Sequence, residues 1–144
     1  MQTAGWCVSL GFTVETLIVP DDWEKVESAL TSALRAFDLV LTSGGAWKSD
    51  RDLVEHILQS IGWEQVYHRI KMGPGKAVEF GFCQGKPVFL LPGGPPSNHM
   101  VFLQLVVPAL HHMAGWEQTG FPLVPAKLGK TYGSRSIRHN LNMG

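Results

Sequence analysis

The spacing of apolar positions predicts helices that alternate with short strands. Residues 23, 26, 30, 33, 34 and 37 fall on one helical face, which predicts a helix over 21–37 capped by Asp21 or Asp22. A second helical pattern begins near residue 51 and stops at Gly62. A third covers 97–115, where Pro108 should kink the helix. Residues 2–10 have the pattern of the end of a further helix.

Five short segments have strand composition. They are residues 13–19, 38–42, 66–70, 77–83 and 87–91, and the last two flank Gln84-Gly85-Lys86, a typical hairpin turn. The order of strands and helices predicts an α/β fold with helices on both faces of a sheet. Because such a unit normally begins with a strand, whereas this chain begins within a helix, we expect the first strand to be missing.

Composition narrows the class of protein. The 144 residues are 44% apolar and 17% charged, with twelve basic residues balancing twelve acidic ones. This balance argues against nucleic-acid or membrane-surface partners, which normally require a basic excess. Cys7 and Cys83 lack paired spacing, so we interpret them as free thiols. Without a membrane-spanning run or a secretory pattern, the expected location is the cytoplasm.

Glycine-rich loops follow two of the predicted strands. TSGGAWKSDRD (42–52) follows the strand at 38–42, and LLPGGPPSNH (90–99) follows the strand at 87–91. A third loop, MGPGKA (72–77), contributes the cation Lys76. Open α/β sheets bind ligands at the carboxyl ends of strands, where glycine lets the backbone approach a ligand. With Ser97 placed to cap the next helix, the loops predict an anion site.

Each feature also has a purely structural interpretation. Glycine and proline runs between elements are commonly turns and nothing more. Asp50 and Asp52 are placed to cap the helix that begins near residue 51, and Asp21 has the same alternative at its own helix. A lysine in the position of Lys76 is most often a solvated surface lysine. The loops therefore carry functional information only in combination.

In combination the loops resemble a known family. SGG-x₆-D (43–52), GPGKA (73–77) and GKPVFLLPGGPPS (85–97) before a long helix resemble the molybdopterin-binding domain. That domain is shared by molybdenum-inserting enzymes of MoeA type and molybdopterin adenylyltransferases of MogA and MoaB type, and the spacing here resembles the MoeA type. The resemblance implies a three-layer α/β/α sandwich over 1–118, incomplete at its start. Residues 119–144 would be a linker or the start of a C-terminal β-domain.

The resemblance also implies a ligand and its binding residues. The ligand would be molybdopterin, a pyranopterin carrying a phosphate, or its adenylylated form. Acids beside a phosphate repel it unless a hard cation such as Mg²⁺ lies between them. Asp50 and Asp52 would be catalytic and would bind this metal together with Asp21. The ligand-binding positions implied by the motifs are Ser43, Gly44, Gly45, Gly75, Lys76, Pro92, Gly93, Gly94, Pro95 and Ser97.

The implied reaction is the insertion of molybdate into adenylylated molybdopterin with release of AMP. The family's PGNP is PGGP here, so Gly94 lacks the asparagine side chain, and a TGDEL-like segment with a functional glutamate is absent. Whether this chain alone is an enzyme therefore stays open. A MogA-like adenylyltransferase and a non-catalytic pterin-binding or assembly module are the alternatives. A homo-oligomer is expected, dimeric for a MoeA-like protein and trimeric for a MogA-like one.

Overall fold

The computed structural model of the protein describes residues 2–43, 50–127 and 129, apart from the side chains of Gln2, Asp50, Arg51 and Asp52. Its helices are α1 (Gln2–Ser9), α2 (Trp23–Ala36), α3 (Asp50–Ser60), α4 (Pro95–Val101) and α5 (Val107–Met113), and a π-helical segment (Phe102–Val106) joins α4 to α5. The strands are β1 (Val40–Ser43), β2 (Trp63–His68), β3 (Glu79–Cys83) and β4 (Lys86–Leu91). Within these ranges, no helix combines the length and apolar character needed to cross a membrane.

The four strands form one mixed sheet in the order β1-β4-β3-β2. β1 and β4 are parallel, so that Val40 lies opposite Val88 and Ser43 lies opposite Leu91. β3 is antiparallel to both of its neighbours. The parallel register brings the carboxyl ends of β1 and β4 to the same edge of the sheet. Two of the predicted glycine loops begin at this edge.

Helices cover both faces of the sheet, and β4 separates two hydrophobic cores. Successive side chains of a strand point to opposite faces, so Val88 and Leu90 pack with α2 and α3. Phe89 and Leu91 pack on the other face with α1, α4, α5 and the π-helical segment, where Phe102 is fully buried. The predicted α/β fold with helices on both faces is therefore confirmed.

Local signals in the sequence explain several element boundaries. The Asp22 carboxylate accepts a hydrogen bond of 3.0 Å from the backbone N–H of Lys25, so Asp22 rather than Asp21 caps α2. Beyond the end of α3, Gly62 has φ +101°, which is accessible to glycine without strain. Gln84 and Gly85 have φ values of 52° and 75° and form the two-residue turn of the β3–β4 hairpin. The helix over 21–37 and the hairpin are thus confirmed.

The strand predicted at 13–19 is wrong. The segment runs outside the sheet, and Leu17 and Ile18 are 65% and 88% exposed. A β-rich composition describes residues that suit a pleated, half-buried surface, but a strand also needs a partner for its backbone groups. Within the described residues, this segment pairs with none of the strands.

Two further boundaries differ from the predictions. The strand expected at 66–70 runs from Trp63 to His68, and Arg69 follows it with φ 65°. The helix expected at 97–115 begins at Pro95 with Gly94 as its N-cap, so Ser97 lies inside the helix and does not cap it. A kink is predicted at Pro108. The regular α-helix is interrupted just before this residue by the π-helical segment, in which the N–H of Val107 donates to the carbonyl of Phe102.

Candidate functional site

A side-chain hydrogen bond joins the first two glycine loops. The Asn98 amide nitrogen, in α4, donates to Ser43 Oγ at 2.8 Å and to the Pro92 carbonyl at 3.0 Å. Ser43 is the last residue of β1, and Pro92 directly follows β4. Asn98 therefore holds the ends of two parallel strands together at the predicted ligand edge. Asn98 is not among the site residues predicted from the sequence, although an amide directly after PGGPPS is a usable signal.

The third glycine loop packs against the same helix. Gly75 is buried with φ +118°, and a Cβ on it would lie 2.6 Å from Met72 Cε and 2.9 Å from Val101 Cγ2. The same Cβ would lie 3.6 Å from the Ser97 carbonyl oxygen. The MGPGKA loop therefore rests on α4 at a point that only glycine fits. Ser43 at the start of the first loop, Pro92 in the second loop and Gly75 in the third loop therefore all lie next to α4.

The second loop offers fewer backbone donors than expected. Pro95 and Pro96 occupy the first positions of α4 and have no N–H. The anion site predicted from free helix amides therefore depends on Gly93, Gly94 and Ser97. Gly93 and Gly94 are exposed, so a ligand can reach their backbone, whereas Pro92 is buried.

The structure describes only part of the remaining predicted site residues. Gly44 and Gly45 lie outside the described residues, as do the side chains of Asp50 and Asp52. The backbone places Asp50 and Asp52 at the start of α3, after the loop that leaves β1.

Lys76 and Asp21 are both exposed. Lys76 belongs to the MGPGKA loop, next to the buried Gly75. Asp21 lies one residue before the cap of α2. No contact among the described residues connects Asp21 to Ser43 or Asn98.

The cysteines are free, as predicted, and both are buried. Burial raises the pKa of the Cys7 and Cys83 thiols, and it raises the pKa of the Tyr67 hydroxyl as well. A thiol with a raised pKa is a poor nucleophile at neutral pH. Neither cysteine therefore offers covalent chemistry at the ligand edge.

An open groove of about 530 Å³ lies elsewhere on the molecule. Residues 15 and 17–20 form one wall of it and α2 forms the other. The wall includes the exposed Leu17 and Ile18. Because none of its lining residues belongs to the three glycine loops, this groove is separate from the predicted ligand edge.

Comparison with known proteins gives the family. Residues 3–112 match the family described as "Probable molybdopterin binding domain". The molybdenum cofactor synthesis protein cinnamon of Drosophila melanogaster is 30% identical over 112 residues, covering 77% of this chain and 19% of that protein. The molybdopterin molybdenumtransferase of Haemophilus influenzae is 33% identical over 101 residues, covering 70% of this chain and 25% of that protein. The chain thus spans about a fifth to a quarter of these relatives.

Solved structures support the same family. The molybdopterin biosynthesis moea protein from Pyrococcus horikosii superposes with a TM-score of 0.68 at 31% identity, covering 82% of this chain and 30% of that one. A molybdenum cofactor biosynthesis protein B superposes with a TM-score of 0.61 over 79% of this chain and 81% of that one. Its 21% identity shows the fold alone. With the family match covering most of its length, the chain belongs to the molybdopterin-binding domain family, and its resemblance to MoeA-type domains is confirmed.

Proposed function

We propose that the chain serves molybdenum cofactor biosynthesis by binding a phosphate-bearing pterin at the edge where its three glycine loops meet. The observation that carries this proposal is the Asn98 bridge between Ser43 and Pro92, with contacts of 2.8 and 3.0 Å. This bridge links the ends of two parallel strands. The chain belongs to a family described as a probable molybdopterin binding domain.

The described residues suggest how the ligand would be held. The backbone amides of Gly93 and Gly94 would donate to phosphate oxygens, and exposed Lys76 would add a positive charge. Gly75, packed on α4, would keep Lys76 close to this position. Ser43 Oγ, already oriented by Asn98, would be a further polar contact. No nucleophilic side chain is required for this binding.

The proposed cation is Mg²⁺, with Asp50, Asp52 and Asp21 as its ligands. Carboxylate oxygens are the hard donors that Mg²⁺ prefers, so the donor set fits by its chemistry. Asp50 and Asp52 follow the ligand edge at the start of α3, and Asp21 is exposed. Bound Mg²⁺ would neutralise charge between these carboxylates and the ligand phosphate.

The finer proposal is a MoeA-like reaction. Molybdate would enter the dithiolene of adenylylated molybdopterin, and the phosphoanhydride would break with release of AMP. Such a cleavage depends on orientation and electrostatics rather than on covalent catalysis by the protein. Because the chain spans only part of its relatives, we propose the pterin site for this chain and the full reaction for an assembly that contains it.

Calorimetric titration with adenylylated molybdopterin, with and without Mg²⁺, tests the proposal. Binding should require Mg²⁺ and should be lost in Asp52→Ala. The matched control is Asp38→Ala, since the Asp38 side chain is 93% exposed and its contact among the described residues is one of 3.4 Å with Lys86. Circular dichroism confirms that each variant is folded. Equal binding by the two variants would exclude the role of Asp52, and no binding by the folded parent chain would exclude the pterin site.

Adenylyl transfer is the second candidate function. The match to the molybdopterin-binding domain family supports it, because the motif resemblance covers adenylyltransferases as well as MoeA-type enzymes. ATP-dependent adenylylation of molybdopterin would support this candidate, whereas Mg²⁺-dependent AMP release supports the MoeA-like one. Self-association without pterin binding would instead support an assembly module. Sedimentation then separates the proposed dimer from a trimer.

We also propose that the pterin-binding domain ends near residue 118. The chain keeps some contacts with the domain just beyond this point. The Gly120 N–H donates to His111 Nδ1 at 3.1 Å, and the rings of Trp6 and Phe121 lie 6.1 Å apart. Residues 119–121 therefore pack on the domain, and the linker or next domain would follow them.

A further inference from the structure

Glu55, His68 and Glu79 form a cluster that the pterin site does not use. One ligand atom from each of the three side chains can be chosen so that all lie within 4.8 Å of one another. Glu55 comes from α3, His68 ends β2, and Glu79 begins β3. Three different elements thus converge on one point. His68 and Glu79 are held opposite each other by the register of β2 and β3.

The distances suit a single metal ion. His68 Nδ1 lies 3.3 Å from Glu79 Oε1. Two ligands bound to one first-row metal at about 2.0–2.2 Å lie roughly 3.0–3.5 Å apart in tetrahedral or octahedral geometry. This pair therefore already has the separation that an ion requires. A carboxylate oxygen of Glu55 lies within 4.8 Å of both, and the Glu55 carboxylate also accepts a 3.3 Å hydrogen bond from Gln59.

Burial makes Glu79 unlike a surface carboxylate. Its side chain is 1% exposed, whereas the His68 side chain is 41% exposed. Gln65 Nε2 also lies 3.4 Å from Glu79 Oε2. A second carboxylate, from Glu55, faces the same point. A divalent cation there would turn the repulsion between two carboxylates into shared attraction.

We propose that Glu55, His68 and Glu79 bind a divalent transition-metal ion of borderline softness, with Zn²⁺ as the best match. An imidazole nitrogen combined with carboxylate oxygens favours Zn²⁺ and its first-row neighbours, whereas Mg²⁺ and Ca²⁺ prefer oxygen alone. The exposed side of His68 leaves a path for the ion and for water at its open positions. None of these three residues is among the proposed Mg²⁺ ligands Asp50, Asp52 and Asp21.

Titration of the whole chain with Zn²⁺ alone tests this site. We expect one equivalent of Zn²⁺ to bind. His68→Ala and Glu79→Gln should each lower the affinity for Zn²⁺ by more than about 100-fold. The loss of a metal ligand should cost more than the roughly 10–100-fold that is lost when a group supporting a ligand is removed. The control His112→Ala removes an exposed histidine from α5 and should bind like the parent.

Two further measurements complete the test. Substitution of Co²⁺ should give visible absorption bands that His68→Ala abolishes, and excess Mg²⁺ should not displace the ion. His68→Ala removes a partly exposed side chain and should remain folded, so it decides the question even if Glu79→Gln unfolds. Failure of the parent to bind Zn²⁺, or equal binding by His68→Ala and His112→Ala, would overturn the proposal. Neither readout uses pterin, so the result is independent of the proposed function.

Discussion

Replacing Gly75 with alanine should destabilise the protein by about 2–6 kcal/mol, because two costs combine at this position. The backbone φ of +118° is unfavourable for any residue with a Cβ, which costs about 1–3 kcal/mol. The new methyl group would also lie 2.6 Å from Met72 Cε and 2.9 Å from Val101 Cγ2. Met72 is flexible and can move aside, but Val101 is fully buried and stiff, so overpacking adds about 1–3 kcal/mol.

Urea unfolding followed by circular dichroism measures this loss. Gly73 is the matched control, because it lies in the same loop, has a negative φ and has open space where a Cβ would stand, with no other atom within 4 Å. Gly73→Ala should therefore change the free energy of unfolding by less than about 1 kcal/mol. Alanine restricts the unfolded chain more than glycine does, and this stabilising effect offsets small costs in the folded state. If both variants unfold at the same urea concentration, the close packing of the MGPGKA loop on α4 is refuted.

The other predictions concern Asn98 and the two cysteines. Asn98→Ala should lower the free energy of unfolding by about 1–3 kcal/mol, because two hydrogen bonds are lost, and it should weaken pterin binding measured by calorimetry. Gln104→Ala, at an exposed position, is the control. Unchanged pterin binding by Asn98→Ala would contradict the role proposed for the Asn98 bridge. Raised thiol pKa values favour the neutral thiols of the folded state, so stability should fall as pH rises above about 9. Ellman's reagent at about pH 8 should modify Cys7 and Cys83 slowly until urea is added, and rapid modification would contradict their burial.

The elements that were predictable carry their signals within a few neighbouring residues. The helix over 21–37 has both a complete apolar face and an acidic cap, and the β3–β4 turn has a residue pair that tolerates positive φ. These signals do not depend on the rest of the chain. The glycine loops after β1 and β4 are likewise recognisable from local sequence, because each of them directly follows a predicted strand.

The features that sequence reasoning missed depend on distant partners. Residues 13–19 have strand composition, but whether they form a strand depends on a neighbouring strand that local composition cannot supply. The π-helical segment reflects both Pro108 and the packing of Phe102 in the core. The cluster of Glu55, His68 and Glu79 joins residues that are far apart in the chain, and its histidine has no regular spacing from either acid.

Asn98 changes how the departure from the family motif at Gly94 should be interpreted. The resemblance predicts PGNP where this chain has PGGP, so an amide side chain is missing from the second loop. One helical turn later, Asn98 supplies an amide that donates to Pro92 in that same loop and to Ser43 in the first loop. The ligand edge therefore retains a side-chain amide, although at a different position. Because this amide is fixed by two strand ends rather than by the loop alone, the glycine at 94 need not leave the site loosely ordered.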